Sequence, residues 1–280
     1  MISLVIKSLG IVLAILALAA LAIWIVGSQQ PSRGIHANEK VLVVALKRDA
    51  PAGDLSEMGF SSSAIWKAQS LFPLIGAESY WTDFLILPPD RAALVEIETT
   101  PGLLDSYVAE VQLLDVPTLA LGLLRTQHLL GITRRPSGQV PTSFDGFEGR
   151  ADVLPNTASI QSLHKVAPGT SLTMMNFLKY FAVSEGDETD GREAYARYGQ
   201  EAFKAVHAVG GQLLFAGRVT EVVIASKGQR APQEWDDLAA MIYPDPTAIL
   251  SMEQNPAYRK SLGERDAGLK RTEVYASAAY

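Results

Sequence analysis

The chain has 280 residues, of which 48% are hydrophobic and 19% charged, and its formal net charge is -6. This length allows one large or two small globular domains beside an apolar segment. The sequence contains no cysteine, which excludes disulfides, thiolate metal sites, iron–sulfur clusters and cysteine nucleophiles. Acidic and basic residues are interspersed without a basic stripe, so the charge pattern gives no reason to expect a nucleic-acid partner.

The N-terminus carries the clearest signal, an uncharged apolar segment. Residues 8–26 would span about 28 Å as a helix, which matches one bilayer core. Trp24 lies near one end, where an indole prefers the membrane interface. A cleaved signal peptide is the alternative, but its apolar core is normally shorter and ends at a small-residue site. The segment therefore predicts a transmembrane anchor over 1–27 that contacts the membrane through residues 8–26.

The flanking charges predict an orientation for this segment. Lys7 precedes it, and Arg33 and Lys40 follow it. A short N-terminal anchor with a flanking lysine usually leaves its N-terminus in the cytoplasm. The expected protein is therefore a single-pass membrane protein, with its soluble part in the periplasm or outside the cell.

A polar tether over 28–38 leads to the first series of predicted elements, in residues 39–133. KVLVVALKR predicts a buried strand. SSSAIWKAQSLFPLIGAE predicts a helix that ends near Gly76, with Pro73 disturbing its last turn. The remaining predictions are two strands, SYWTDFLILPP and RAALVEIETT, a helix over 101–124 that is kinked near Pro117, and a strand, RTQHLLGIT.

Residues 134–170 form a predicted linker with one short helix, capped by Asn156 or Thr157. The second series of elements occupies residues 171–280. In chain order these are a strand (LTMMNFLKYF), a helix (GREAYARYGQEAFKAVHAVGG), two strands (QLLFAGRVTEVVI and WDDLAAMIYP), a helical region (DPTAILSMEQNPAYRKSLGERDAGLKR) and a strand (TEVYAS).

The two halves share this order of elements and can be aligned. Lys47 matches Lys179 at an offset of 132 residues, and Pro101 matches Pro246 at an offset of 145. One localised insertion, near residues 225–234, accounts for the rise, as a duplicated unit would show; chance similarity is the alternative. The order is the ferredoxin-like arrangement. We therefore predict an α+β fold, with an N-terminal transmembrane helix followed by two ferredoxin-like units that form an intrachain, dimeric α/β-barrel-like pseudo-dimer.

Residues from about 154 to 277 resemble a bacterial family of small dimeric α/β-barrel proteins that is defined only as a domain of unknown function. The matching segments are MMNFLKY (174–180), GREAYARYG (191–199), GGQLLFAGRV (210–219), WDDLAAMIYPDPTAILSM (235–252) and NPAYRKSLGERDAGLKRT (255–272). The wider superfamily includes cofactor-free monooxygenases, muconolactone isomerases and haem-binding chlorite dismutases. The resemblance implies a ligand-sized barrel cavity and no particular reaction. In a bacterial protein, the predicted anchor would lie in the inner membrane.

Asn176 is the polar exception in an otherwise apolar strand. Alternate strand residues face opposite sides, and Arg218 on the next strand is expected on the face towards the other sheet. If both side chains faced the barrel cavity, they would orient a small ligand, with Arg218 holding a carboxylate or enolate oxygen. The structural alternative is that Asn176 satisfies a backbone group and that Arg218 pairs with Glu221 or Asp236.

Three further residues are candidates for the same site. Tyr198 and Tyr243 are candidate wall residues with a hydroxyl group, although aromatic residues on such faces usually belong to a core. His207, near the end of a helix, is a candidate general base or, by analogy with the superfamily, a haem ligand; a solvated or capping role is the alternative. Val44 stands in the first half where Asn176 stands in the second, which predicts a single functional pocket.

These patterns together predict a membrane-anchored α/β-barrel protein that binds a small, partly apolar molecule. Cofactor-free isomerase, lyase or oxygenase chemistry on an enolisable compound is the expected activity if the protein is an enzyme. The alternative is a non-catalytic accessory or docking subunit of a membrane protein complex. Neither a cofactor nor a metal is expected, and no residue can be assigned a catalytic role.

Overall fold

The structure is a computed structural model that describes residues 2–49, 55, 58–76, 79–90, 92–135, 150, 153–184, 189–228 and 234–280. Its strands are β1 Lys40–Arg48, β2 Trp66–Ile75, β3 Asp83–Leu87, β4 Leu103–Leu113, β5 Leu172–Tyr180, β6 Gln212–Ile224, β7 Asp237–Tyr243 and β8 Leu269–Ala279. Its helices are α1 Ile2–Ser28, α2 Ser32–Ile35, α3 Ala92–Thr99, α4 Thr118–Leu129, α5 Thr157–Lys165, α6 Gly191–Ala208, α7 Pro246–Ser251 and α8 Pro256–Gly268. Two short 3-10 helices, Gly59–Ser63 and Met252–Gln254, complete the described elements.

The eight strands form one closed antiparallel barrel in the order β1-β3-β2-β8-β5-β7-β6-β4. Each half of the chain contributes four neighbouring strands, and their order within the two halves corresponds. The halves are joined at two seams, where β2 pairs with β8 and β4 pairs with β6. Closure leaves no strand edge unpaired in the ring, so the backbone groups of each half are satisfied by the other half.

The interior of the barrel is filled with large side chains. Phe177 of β5 contacts the rings of Phe84, Tyr107 and Tyr275, with centroid distances of 6.0 to 6.2 Å, and the ring of Trp235 at 5.6 Å. All five side chains are buried in one cluster. This cluster fills the space between the two sets of strands, where the resemblance implies a ligand-sized cavity. The pocket described below lies elsewhere, outside the barrel.

The outer faces of the two halves are covered differently. Over the second half, α6, α7 and α8 pack on strands β5 to β8, and α5 packs on β2, around a second apolar cluster. Over the first half, the short 3-10 helix Gly59–Ser63 and α3 supply Phe60 and Ile97 to a smaller cluster with Leu42, Val44 and Leu46 of β1. The first half is therefore covered by two short helices and the second half by a layer of four helices.

Helix α1 packs along α4, and the two backbones approach closely at a pair of glycines. A Cβ atom on Gly27 would overlap the Thr118 carbonyl oxygen, and one on Gly122 would overlap the Ile23 carbonyl oxygen. Only glycine permits this approach, because any larger residue would push the helices apart.

The predicted transmembrane anchor is wrong. Among the described residues, no helix combines the length and apolarity that a membrane crossing requires. The predicted location, a single-pass protein of the inner membrane with a periplasmic soluble part, depended on this anchor and is wrong as well. The apolar composition of α1 predicted a segment surrounded by lipid. In the structure, one side of α1 packs against α4 at Gly27 and Gly122.

The predicted pair of ferredoxin-like α/β units is also wrong, because the structure is one closed eight-stranded barrel. Within residues 39–133, the predicted helix over 61–78 is mostly strand β2, and the predicted strand over 91–100 contains helix α3. The predicted helix over 101–124 begins as strand β4, and the predicted strand RTQHLLGIT lies largely in α4. Pro73, which suggested a disturbed helix end, instead lies where the register between β2 and β8 shifts.

The elements predicted for the second half are present. The short helix α5 begins after Asn156, whose Oδ1 accepts a hydrogen bond from the Ser159 amide at 2.8 Å. Much of the predicted linker, residues 136–149 and 151–152, lies outside the described residues. The long helical region predicted over 245–271 is divided into α7, a 3-10 turn and α8, because Asp245 and Asn255 each cap a new helix followed by proline.

Candidate functional site

A cavity of about 620 Å³ lies between the helices and the outer face of the second half's strands. Strands β5 to β8 form its floor, and α6 and α8 form most of its roof. Its apolar lining includes Leu74, Met174, Ala202, Val206, Leu213 and Val274, and its polar lining includes Asn176, Tyr180, Arg192, Tyr198, Arg218, Asp237, Tyr243, Glu253, Tyr258 and Arg265. A largely apolar cavity with a few convergent polar groups is the usual form of a small-molecule site.

Asn176 lines this cavity from the floor and does not face the barrel interior. Its neighbours Met175 and Phe177 point into the barrel, so alternation along β5 places Asn176 outside, beneath the helices. Its amide nitrogen donates to the Met174 carbonyl at 2.8 Å and to the Ala239 carbonyl at 3.3 Å. Within the described residues, no hydrogen bond engages its Oδ1. The amide is therefore held by the backbone and presents one acceptor to the cavity.

Arg218 lies on β6 at the rim of the same cavity, and it is exposed. Among the described residues it has neither a hydrogen bond nor an ion pair, so the expected pairing with Glu221 or Asp236 is absent. Asn176 and Arg218 do share a cavity, but it lies on the outer face of the sheet, whereas the predicted cavity was inside the barrel. The register shift between Leu213 and Phe215 places both Leu214 and Phe215 in the barrel core, which breaks the simple alternation assumed for β6.

Tyr198 and Tyr243 line the cavity from opposite sides, α6 and β7. The Tyr198 hydroxyl lies 3.2 Å from the Tyr258 hydroxyl of α8, and the Tyr243 hydroxyl donates to the Met252 sulfur at 3.5 Å. Burial raises the pKa of Tyr243, so its hydroxyl group stays protonated. Both side chains also belong to the apolar cluster beneath the helices, so they serve as core and as cavity wall.

His207 is not part of the cavity lining. It is 1% exposed, its Nδ1 lies 2.9 Å from the Phe203 carbonyl oxygen, and its ring packs on Phe203 at a centroid distance of 4.5 Å. Burial lowers the pKa of His207, with Arg125 and His128 adding to the effect. Within the described residues, no group of three or more histidine, aspartate or glutamate side chains could hold a metal ion. The structure thus separates His207 from the other four candidates.

One end of the cavity carries an ion pair that the sequence analysis did not identify. Arg192 of α6 donates to Asp237 Oδ1, and the Tyr180 hydroxyl donates to Asp237 Oδ2 at 2.9 Å. The guanidinium also lies 4.8 Å from the centre of the Tyr180 ring. Burial raises the pKa of Asp237, although its bonds to Arg192 and Tyr180 oppose that rise. The carboxylate of Asp237 is therefore already bonded within the protein.

The other end holds Glu253 and Arg265, which the sequence analysis also missed. Glu253 is 8% exposed and Arg265 is 6% exposed. Burial raises the pKa of Glu253 to about 7, against the opposing charges of Arg265 and Arg259. The sequence offers a signal for Arg265, because helical spacing places it on the same face of α8 as the buried residues Tyr258, Ser261 and Leu262.

Comparisons with known proteins add little to this geometry. No protein-family model matches the chain, and no curated protein matches it. Solved structures that resemble it include two of the RPA0582 protein, a protein of unknown function from Rhodopseudomonas palustris, one of them in methylated form. They are 24% and 23% identical to this chain, and each match covers 44% of it and 92% or 90% of the neighbour, with a TM-score of 0.39. At this level of similarity the neighbours carry no argument about fold or function.

Proposed function

We propose that this protein binds a small, partly apolar molecule in the cavity between the helices α6 and α8 and the sheet. The single observation that supports the proposal is the cavity itself, about 620 Å³ in volume and largely apolar, with a few polar groups at its ends. Cavities of roughly 300–1,000 Å³ with this lining bury most of a drug-sized ligand. The cofactor-free isomerase, lyase or oxygenase chemistry expected from the superfamily stays a prediction.

The test is a titration with the neutral fluorescent probe N-phenyl-1-naphthylamine, which brightens when it leaves water. The wild-type protein is expected to bind the probe saturably. Ala202→Phe should abolish or strongly weaken binding, because Ala202 lines the cavity from α6 and the added ring would fill it. The matched control is Ala257→Phe, at an exposed position of α8 outside the lining.

Circular dichroism checks that both variants are folded. Equal probe binding by wild type, Ala202→Phe and Ala257→Phe would place the probe on an exposed surface and contradict the proposal. Absence of saturable binding to the wild-type protein would contradict it as well.

A second candidate function, docking of another protein, is favoured by exposed apolar side chains on α1 and α4. They include Leu13, Leu16, Trp24, Leu119, Leu123 and Leu129. Apolar surface of this extent commonly marks an interaction site. Sedimentation of the wild type beside a Leu119→Gln/Leu123→Gln variant measures whether the surface binds a second copy. A concentration-dependent larger species that the variant loses would support docking, and a monomer at every concentration would count against self-association.

A further inference from the structure

Arg265 is the least satisfied charged group at the cavity. It is 6% exposed, and among the described residues its Nε and Nη2 have no hydrogen-bond partner. The nearest acidic group is that of Asp266, whose Oδ1 lies 3.6 Å from Nε, beyond hydrogen-bonding distance. A guanidinium is always charged and presents five donors, so two unused N–H groups in an apolar layer carry a considerable desolvation cost.

Besides the ion pair with Asp266, the charge of Arg265 faces an aromatic ring. Its guanidinium carbon lies 5.6 Å from the centre of the Tyr198 ring, a cation–π contact. Glu253, which lines the same cavity, forms no ion pair with Arg265 in the described part of the chain, and its own Oε2 has no hydrogen-bond partner. Two buried, oppositely charged side chains thus border one cavity without contacting each other.

A buried polar atom without a hydrogen-bond partner is rare in native proteins and usually marks a water, an ion or a functional role. Arg265 forms an ion pair with Asp266, and a bound anion at the cavity would add charge-assisted hydrogen bonds to its guanidinium. The remainder of the cavity offers aliphatic and aromatic surface to the rest of such a molecule.

We propose that the ligand is an apolar monocarboxylate, with its carboxylate bound by the guanidinium of Arg265 and its hydrocarbon part lying in the apolar cavity along α6. This inference rests on the proposed function and adds the chemical class of the ligand. A planar carboxylate matches the two parallel N–H groups of a guanidinium.

The charges at this end select against other head groups. A phosphate would bring close to two negative charges, about one more than a carboxylate, to a single arginine that already has Asp266 and Glu253 nearby. An amine would place a cation beside Arg265. Arg218, which is exposed at the rim, and Arg192, which is bound to Asp237, do not supply a second buried free cation.

The test compares three probes that share a ten-carbon chain: decanoate, 1-decanol and decylamine. Each displaces N-phenyl-1-naphthylamine from the full-length protein below its micelle-forming concentration. We expect wild type to prefer decanoate over decanol by at least about tenfold, since a charge-assisted hydrogen bond contributes more than a neutral one. Arg265→Met should remove that preference while the neutral probe still binds.

Two further variants keep the test decisive. Lys260→Gln removes a positive charge from an exposed position of the same helix outside the lining, and it should retain the preference for decanoate. If Arg265→Met does not fold, Glu253→Gln replaces it. At a pH well above the pKa of Glu253, this variant removes a negative charge beside the site and should strengthen decanoate binding several-fold.

The outcomes separate the two proposals. Saturable binding of the neutral probe with equal affinity for decanoate and decanol, or with a preference for decylamine, overturns the carboxylate inference and leaves the proposed function standing. Failure of the neutral probe to bind overturns both. A preference for decanoate that survives Arg265→Met, or that Glu253→Gln leaves unchanged, overturns the assignment to Arg265.

Discussion

At the scale of single residues, Glu253 shows how burial changes the chemistry of an ordinary side chain. Its carboxyl group lies in the apolar layer beneath the helices, next to the charged Arg265 and within reach of solvent at only 8% of its surface. Desolvation penalises the ionised form, and the pKa of Glu253 rises from 4.5 to about 7. The same carboxyl on the exposed face of α8 would be ionised throughout the physiological range.

This rise predicts how stability depends on pH. A raised pKa means that the folded protein binds the Glu253 proton more tightly than the unfolded chain does, so this contribution is full below about pH 4.5 and lost as pH rises to about 7. The loss is at most about 3 kcal/mol, since one pKa unit corresponds to about 1.4 kcal/mol. In Glu253→Gln the decline between these pH values should be smaller by about that amount, as measured by urea unfolding at a series of pH values.

The control for this prediction is Glu264→Gln. Glu264 lies on the same helix and pairs with Arg197 at 2.8 Å in a partly exposed position. Its removal should change stability by less than about 1 kcal/mol and leave the decline in place. Identical pH profiles for wild type and Glu253→Gln would show that Glu253 is not buried as described.

At the scale of elements, α4 shows why the first half differs from its sequence-based prediction. The residues of α4 include RTQHL, which pattern alone assigned to a strand, because short apolar runs fit either structure. In the fold, α4 packs against α1 and α6, and these contacts favour the helix. Tertiary packing therefore decided an element whose local preference was ambiguous.

The glycine pair between α1 and α4 gives a prediction at this scale. Replacing a mid-helix glycine by alanine normally stabilises a helix by roughly 0.5–1 kcal/mol. Gly263→Ala in α8 should follow this rule, because no atom lies within 4 Å of the added methyl group. Gly122→Ala should instead destabilise the protein by about 1–3 kcal/mol, because its methyl group would overlap the Ile23 carbonyl.

Urea unfolding measures both variants, and limited proteolysis of residues 28–39 measures whether α1 separates from α4. Stabilisation by Gly122→Ala to the same extent as by Gly263→Ala would mean that the two helices do not cross at these glycines.

At the scale of the whole molecule, a buried ion pair between the neighbouring strands β1 and β3 also binds the residue that follows β8. Arg48 at the end of β1 donates to both carboxylate oxygens of Asp83 on β3, at 2.7 and 2.8 Å. The Tyr280 hydroxyl, just beyond β8, donates to Asp83 and accepts from Arg48. The side chains of Arg48 and Asp83 are 5% and 0% exposed, so this network ties the C-terminal strand of one half to the sheet of the other in a dry environment.

Breaking one partner of this pair should be costly. Asp83→Ala leaves Arg48 buried without its carboxylate and should lower the free energy of unfolding by about 3–5 kcal/mol. Replacing both partners, as Arg48→Met/Asp83→Leu, should restore most of that loss, because neither apolar side chain leaves a buried charge without its partner. Denaturant unfolding of both variants measures the difference.

The matched control is Lys40→Ala. Lys40 pairs with Glu110 at 2.6 Å, also between neighbouring barrel strands, but its side chain is 43% exposed. Loss of an exposed pair should cost no more than about 1 kcal/mol. If Asp83→Ala costs no more than Lys40→Ala, or if the double variant is as unstable as Asp83→Ala, the pair does not hold the barrel as described.

The sequence by itself determined the elements of the second half, since residues such as Asn156, Asp245 and Asn255 are local caps that act within a few residues. It also identified Asn176 as the polar exception of β5. Tyr198 and Tyr243, which were expected as walls of the barrel cavity, line the cavity beneath the helices instead. These conclusions hold because periodicity and capping are local properties of the chain.

Only the tertiary structure decided which face of each strand meets which layer. Alternation shows that Asn176 and Phe177 point to opposite sides, but not that the barrel interior takes Phe177 and the helix layer takes Asn176. The strand character of β2 depends on pairing with β3 and β8, which are distant in sequence. The lack of hydrogen-bond partners at Nε and Nη2 of Arg265 likewise depends on how α8 meets α6 and the sheet, because hydrogen-bond satisfaction is a property of the assembled fold.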